Sequence, residues 1–415
     1  MPAYLLTFVN VLGFSLLLPV LPFVVTQYGG SEMVYGLLIS AYSCFQFIGA
    51  PWLGRLSDSV GRRPVLLISQ GGTLLSWVVF GAAWFVPNVS VATFALPLLI
   101  IMFARILDGV TGGNHSVTQA YVSDLSNREE KSVIFGTIGG IVGIGMIIGP
   151  GLGGLLASGP LGYLGVAIGG VCVSLITLVS IQYSLKESLA VEHRKPLEKQ
   201  SVVQTLRLLD RIHRLNPAPI VKRLFLVRGL FSAMMAGYVS TIALFVIDLF
   251  EFNAQELGLF LVVVGVFIAF NQAVVSKWFI RRFGEVRTMR IGLFVCALGL
   301  YAITLTDILW LYIAFYFLMN LGISLSIPTF NALIAQNAET NEMGEVMGIG
   351  DSIISLSNAV IPVFAASAYG FLGASFYHLI AVLPIIGLLL AWRMVNPAYE
   401  HESSTVESAD IHDVT

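Results

Sequence analysis

The chain reads as a succession of long apolar runs separated by short polar breaks. A helix that crosses a bilayer needs about 20 mostly apolar residues. Twelve runs meet that requirement: 4-27, 33-54, 65-86, 92-119, 133-157, 162-184, 224-248, 255-276, 290-306, 308-333, 349-370 and 374-395. The first begins almost at the first residue and is too long for the apolar stretch of a cleavable signal, so it is expected to be the first span. Residues 396-415, rich in Ser, Glu and Asp, are expected to form a disordered cytoplasmic tail.

The polar breaks give the pattern a direction, because Lys and Arg favour cytoplasmic loops. With the N-terminus inside, the inner loops hold Arg55, Arg62, Arg63, Arg128, Lys131, Lys277, Arg281, Arg282, Arg287 and Arg290. The outer loops hold acids such as Glu32, Asp248, Glu251, Glu256 and Asp307, and neither Lys nor Arg. Arg228 and Arg393 fall at helix ends on the inner side, which leaves Arg105 as the one basic residue inside a span. Both termini are thus expected in the cytoplasm.

The basic segment 185-223 divides the chain into two six-helix halves, 1-184 and 224-395. Within it Val203, Leu206, Leu209 and Ile212 recur at helical spacing beside Arg207, Arg211 and Arg214. That pattern predicts an amphipathic helix, either on the inner membrane face or against a partner. The halves echo one another: Pro150 with Pro362 and Gly136 with Gly348 keep the same separation. Two such halves in parallel repeat are one established transporter layout.

Composition agrees with a membrane solvent. The chain is 56% apolar and 11% charged, whereas soluble proteins carry about 25% charged residues. Cys44, Cys172 and Cys296 lie in apolar runs without metal-ligand spacing and read as small buried hydrophobes. No Walker loop, metal spacing or nucleophile motif occurs, which argues against an ATP-driven pump or an enzyme. No cofactor, metal or nucleic-acid partner is expected. The expected partners are a small-molecule substrate, protons and the lipid bilayer, with the protein a monomer.

Three constellations carry candidate chemistry. The first is the loop Gly54-Arg55-Leu56-Ser57-Asp58-Ser59-Val60-Gly61-Arg62-Arg63-Pro64 between spans two and three. Its glycines permit a tight reversal, and Asp58 among Arg55, Arg62 and Arg63 implies a charge-paired lock; a bare topology signal would need the arginines alone. The second is Arg105 and Asp108 in span four. Each costs about 2.5–3.5 kcal/mol at mid-membrane, and their spacing lets them pair on one helix face. They form either an ion-coupling pair or a self-neutralised pair that ties span four to a neighbour. The third is Gly136, Gly145, Gly149-Pro150 and Gly153-Gly154 in span five, small residues that let helices approach closely and a proline that bends them.

The first loop resembles the signature loop of the major facilitator superfamily, and its flanks, Ala50-Pro51-Trp52-Leu53 and Pro64-Val65-Leu66-Leu67, resemble the tetracycline-efflux-like branch of its drug/proton antiporters. Span one, with Leu12-Gly13-Phe14-Ser15 and Pro19-Val20-Leu21-Pro22, and the later Ile327-Pro328 and Gly344-Glu345-Val346-Met347-Gly348 are similar to that branch as well. The resemblance implies an all-α membrane fold of twelve helices in two pseudo-repeat halves. It implies that Asp58 joins a charge network near the start of span eleven, that Arg105 belongs to a proton-coupling motif, and that the span-five glycines mark an antiporter. The chain departs from that branch at Asn10, where an acid is usual, and at Ser76 and Cys296, where tetracycline exporters carry aspartates. These departures move the expected coupling site to Asp108 and count against tetracycline itself as substrate.

Polar residues expected to line a central cavity are Asn10, Gln46, Asn114, His115, Gln119, Asn271, Gln272, Asn331 and Asn358. Each is also a candidate for an interhelical hydrogen bond. His115 can titrate near neutral pH or serve as a neutral structural imidazole. The expected function is export of a small, fairly apolar organic compound by proton antiport. A facilitator or proton-symport uptake carrier of the same fold is the nearest rival, and a non-transporting scaffold or receptor the most distant.

Overall fold

The computed structural model describes residues 2–91, 93–125, 131–194, 196, 208–338 and 342–392. It is almost entirely helical, as the apolar runs require: with no water in the bilayer core, a helix is one of the few structures that satisfies its own backbone. Among the described residues, ten helices are long and apolar enough to cross a membrane, or eleven if a bent pair at the start is one span. One of the ten segments, Ala254–Ala302, has 49 residues. At 1.5 Å per residue it is about 74 Å long, enough for two crossings of a core about 30 Å thick. Gly284, at φ 73°, breaks it.

The helices in chain order are α1 Pro2–Leu16, α2 Leu21–Gln27, α3 Glu32–Val60, α4 Arg62–Ala82, α5 Leu96–Gly112, α6 His115–Asp124, α7 Lys131–Ala157, α8 Tyr163–Ser184, the short α9 Leu208–Leu215, α10 Pro219–Phe250, α11 Ala254–Phe270, α12 Ser276–Ala302, α13 Leu309–Gln336, α14 Met343–Leu372 and α15 Ser375–Trp392. A two-stranded ribbon, Ser90–Val91 with Phe94–Ala95, leads into α5.

Several apolar runs differ from their helices in instructive ways. The first run is two helices bent by 40°. Pro19 lies in the break, where its ring displaces the carbonyl of residue i−4 and it has no N–H to donate. The fourth run is divided between α5 and α6 at Gly112-Gly113-Asn114, since consecutive glycines are poor helix formers. Between α11 and α12, Asn271–Val275 winds as a π-turn. The helix holding the seventh run starts at Pro219 rather than 224, so Arg228 is not at a helix end as expected: it lies more than two turns in and is 5% exposed. Of the expected amphipathic helix, Leu209 and Ile212 lie on α9; Val203, Leu206 and Arg207, like the tail 396-415, lie outside the described residues.

Contacts group the chain into two compact units. The first comprises 1–210, 235–266 and 355–376, and the second 211–234, 267–354 and 377–415. In the first unit Leu16, Val20, Leu38, Trp77, Phe80, Leu98 and Ile101 form a buried core that also takes Ala366 of α14. A second cluster holds Leu6, Leu53, Leu66, Val117 and Ile181. Helices meet there at glycines: a side chain on Gly49 would meet the Val110 carbonyl, one on Gly109 the Tyr42 carbonyl, and one on Gly36 the Pro362 carbonyl. The second unit has the same device, with Gly292 and Gly299 of α12 against Gly322 and Met319 of α13. Large apolar side chains such as Phe103, Ile176 and Leu389 are more than half exposed, which suits a surface solvated by lipid.

Candidate functional site

The signature loop is a reversal built on Gly61. Its φ of 112° lies where residues with a side chain rarely sit, and the Glu187 carboxylate occupies the space a Cβ would need. Gly54 is looser, with only the Ser116 hydroxyl near a Cβ position. Arg62 opens α4 and is 8% exposed. Its Nη1 donates to the Asp58 carboxylate and, at 2.7 Å, to the Ser57 hydroxyl; its Nε donates to Asp124 at 3.1 Å. Arg63 reaches the Gln182 carbonyl, and Arg55 the Pro51 carbonyl. The expected lock thus has one central cation, Arg62, between two carboxylates.

Two of its members, Glu187 and Asp124, were not singled out from the sequence. Glu187 accepts the backbone N–H groups of Arg62 and Arg63 at 2.8 and 3.2 Å. An anion is favoured at a helix N-terminus, where these donors have no intrahelical partner. Ser188 donates to Asp124 at 3.0 Å and so fastens the start of the central segment to α6. Sequence separations above sixty residues hide these contacts from any reading of local spacing.

Arg105 and Asp108 do pair, at 3.1 Å, and both are buried, 3% and 7% exposed. The guanidinium also lies 5.6 Å from the Tyr42 ring centre and 6.0 Å from that of Trp77. Such placement over aromatic faces favours a desolvated cation. Thr73 and Ser76 of α4 lie beside the Asp108 carboxylate, so α4 and α5 both border it. A small cavity opens beside it, lined by Asn10, Phe14, Tyr42, Gln70, Thr73 and Trp77 among others.

Of the nine expected cavity residues, several gather around this point. Asn10 Nδ2 donates to Asn114 Oδ1 at 2.8 Å, and Gln46 donates to the Tyr42 hydroxyl and the Gly112 carbonyl. His115 begins α6 and Gln119 follows one turn later on it. Asn358, on α14, is exposed in the same unit. Asn271, Gln272 and Asn331 belong to the second unit. There Asn271 is buried in the π-turn with its Nδ2 unpartnered, and Asn331 accepts from Arg228 at 2.7 Å. Tyr42, Trp77 and Gln70 join the site without having been expected; an aromatic on an apolar run carries no mark that separates a site residue from core.

The span-five motif divides between two neighbours. A side chain on Gly145, Gly149 or Gly153 would strike Val11, Ser15 or the Leu16 carbonyl of the first span. Ser15 donates to the Gly145 carbonyl at 3.0 Å. Gly154 instead faces the Ala254 carbonyl at the start of α11, and the Pro150 carbonyl faces Gly258. Gly136 is on α7, and its surroundings lie outside the described residues.

A helical membrane bundle with a buried ion pair beside a polar cavity defines a solute carrier. Residues 3–362 match the profile of the Major Facilitator Superfamily, and the chain belongs to that family. It is 27% identical to the class H tetracycline resistance protein of Pasteurella multocida, across 98% of this chain and 97% of that one. It is 26% identical to multidrug resistance protein 2 of Bacillus subtilis (strain 168), across 93% of each. Among solved structures, the human organic anion transporter MFSD10 (TETRAN) superposes with a TM-score of 0.69 at 25% identity, covering 94% of this chain and 98% of that one. A D-xylose-proton symporter shares the fold with a TM-score of 0.74 at 17% identity, over 95% of this chain and 96% of that one. The protein is a multi-pass membrane transporter and not an enzyme.

Proposed function

We propose that this protein exports a small, fairly apolar organic compound in exchange for protons, by alternating access of its halves 1-184 and 224-395. On this reading it has twelve spans, counting two in Ala254–Ala302, both termini face the cytoplasm, and it works as a monomer. The observation that carries the proposal is the buried Arg105–Asp108 pair opening on a polar cavity. Ionisable groups at membrane depth are costly and mark ion pathways.

Asp108 takes a proton from water on the outer side, which weakens its hold on Arg105. It loses that proton to inner water when substrate occupies the cavity, and Arg105 recaptures the carboxylate. Asn10 carries no proton and orients Asn114 instead. The Asp58–Arg62–Asp124 lock holds the outward-open state by fixing the inner ends of α3, α4 and α6. Relatives named for tetracycline and multidrug resistance support export over uptake.

Susceptibility of cells with and without the gene to a compound library identifies the substrate. Everted vesicles with an acidic interior then test the exchange. Accumulation against the substrate gradient, abolished when the proton gradient is collapsed, supports proton-driven export. Simple equilibration identifies a facilitator, and accumulation only in right-side-out vesicles an uptake carrier.

A further inference from the structure

The export reading makes no use of Arg228, which is buried like Arg62 and Arg105. Its side chain is 6% exposed. Nη1 donates to Asn331 Oδ1 at 2.7 Å, Nη2 reaches Asp351 Oδ1 at 3.3 Å, and Nε has no hydrogen-bond partner. One edge of the guanidinium is satisfied by Asn331. The other edge, Nε with Nη2, holds a single long contact. That edge is the fork a carboxylate takes with two parallel hydrogen bonds.

Asp351 does not fill the fork, and it is well placed to leave it. Its side chain is 73% exposed. It lies about two turns into α14, and a charge facing hydrocarbon at depth costs about 2.5–3.5 kcal/mol. The open space beside Asp351 and the exposed Asn331 is therefore water. The adjacent Gly350 lies against the guanidinium without a side chain: a Cβ there would sit 3.4–3.5 Å from Cζ, Nε and Nη1. One turn along α10 from Arg228, Phe231 packs on Phe330, ring centres 5.2 Å apart, in the core beneath it.

We propose that Arg228 receives the carboxylate of a small organic anion, with Asp351 as a tethered counter-ion that occupies the site when it is empty. Asp351 turns into water, the ligand carboxylate bridges Nε and Nη2, and Asn331 keeps Nη1. No covalent bond or proton moves. Arg211, which contacts Ser352 at 3.3 Å and Glu345 at 3.9 Å, adds positive charge on the same flank. The proposal rests on the reading of the chain as a carrier of small organic compounds and narrows that class to compounds with an acidic group.

Equilibrium binding to the full purified chain tests it, with 2-naphthoate and its neutral isostere 2-naphthamide as probes. The acid is expected to bind at least about tenfold more tightly than the amide, the scale of one charge-assisted contact. Arg228→Gln removes that advantage and leaves amide binding unchanged. Asp351→Asn, at an exposed position, strengthens acid binding about threefold to tenfold by removing the competitor. If Arg228→Gln fails to fold, Arg228→Lys keeps the charge without the fork and weakens the acid by about tenfold. Equal binding of acid and amide, no binding of the acid, or acid binding that Asp351→Asn leaves unchanged or weakens would overturn the proposal. Binding is measured without a proton gradient, so its result and that of the export test are independent.

Discussion

Arg105 and Arg228, both buried, sit in contrasting surroundings. Arg105 pairs within one helix with an acid that is itself buried, side chains 4% and 10% exposed. Arg228 pairs across two helices with an acid in water, side chains 6% and 73% exposed. A sealed pair can change charge only by gaining or losing a proton or by moving to another environment. An open pair can change partner, because water solvates the acid it releases. On the readings proposed above, the first is the proton-coupling pair and the second the ligand-exchange pair.

Removing the sealed cation should have the largest effect. Arg105→Ala leaves Asp108 buried without its counter-ion, which costs about 3–5 kcal/mol in comparable pairs. Transport should be lost and the unfolding temperature in detergent should drop sharply. Arg228→Ala leaves Asp351 solvated, so the expected loss is smaller, about 1–2 kcal/mol, from packing and the Asn331 bond. A thermal scan giving the reverse order would break the contrast between sealed and open pairs.

Gly149→Leu should fall between these. Even a methyl group there overlaps the Ser15 side chain, and overpacking costs about 1–3 kcal/mol. Transport should fail at reduced or normal expression; normal turnover would mean that the contact with the first span is loose. Smallest in stability is Asp58→Asn. Asp58 is 42% exposed at its side chain and Arg62 keeps Asp124, so folding should change by about 1 kcal/mol or less. Transport should nevertheless be abolished, because a lock that cannot be set stops the cycle. Full transport in this variant, measured in everted vesicles, would reduce the loop to a topology signal.

Much of this arrangement was legible in the sequence where chemistry follows helical spacing. Arg105 and Asp108 are three residues apart and share a face. Gly145, Gly149 and Gly153 recur every four residues and form one stripe, as they do against the first span. Glu187 and Asp124, by contrast, complete the signature loop from distant segments, and no local pattern marks an acid as the cap of another helix. Arg228 was misplaced because the apolar run begins later than its helix: Pro219–Arg223 is polar enough to look like loop yet continues α10. The bend at Pro19 follows from a proline that the apolar count ignores, and the π-turn at Asn271 has no sequence signature of its own.

The most direct test of the central claim is proton flux in proteoliposomes carrying Asp108→Asn, followed with a trapped pH dye while the compound identified by the susceptibility screen is added. The amide keeps the shape of the carboxylate and its place beside Thr73 and Ser76, so the variant should fold and bind. Wild-type protein should move protons in step with the compound, and Asp108→Asn should bind the compound but move no protons and drive no accumulation. Normal coupling of the two fluxes in Asp108→Asn would contradict the account and make the Arg105–Asp108 pair a structural tie.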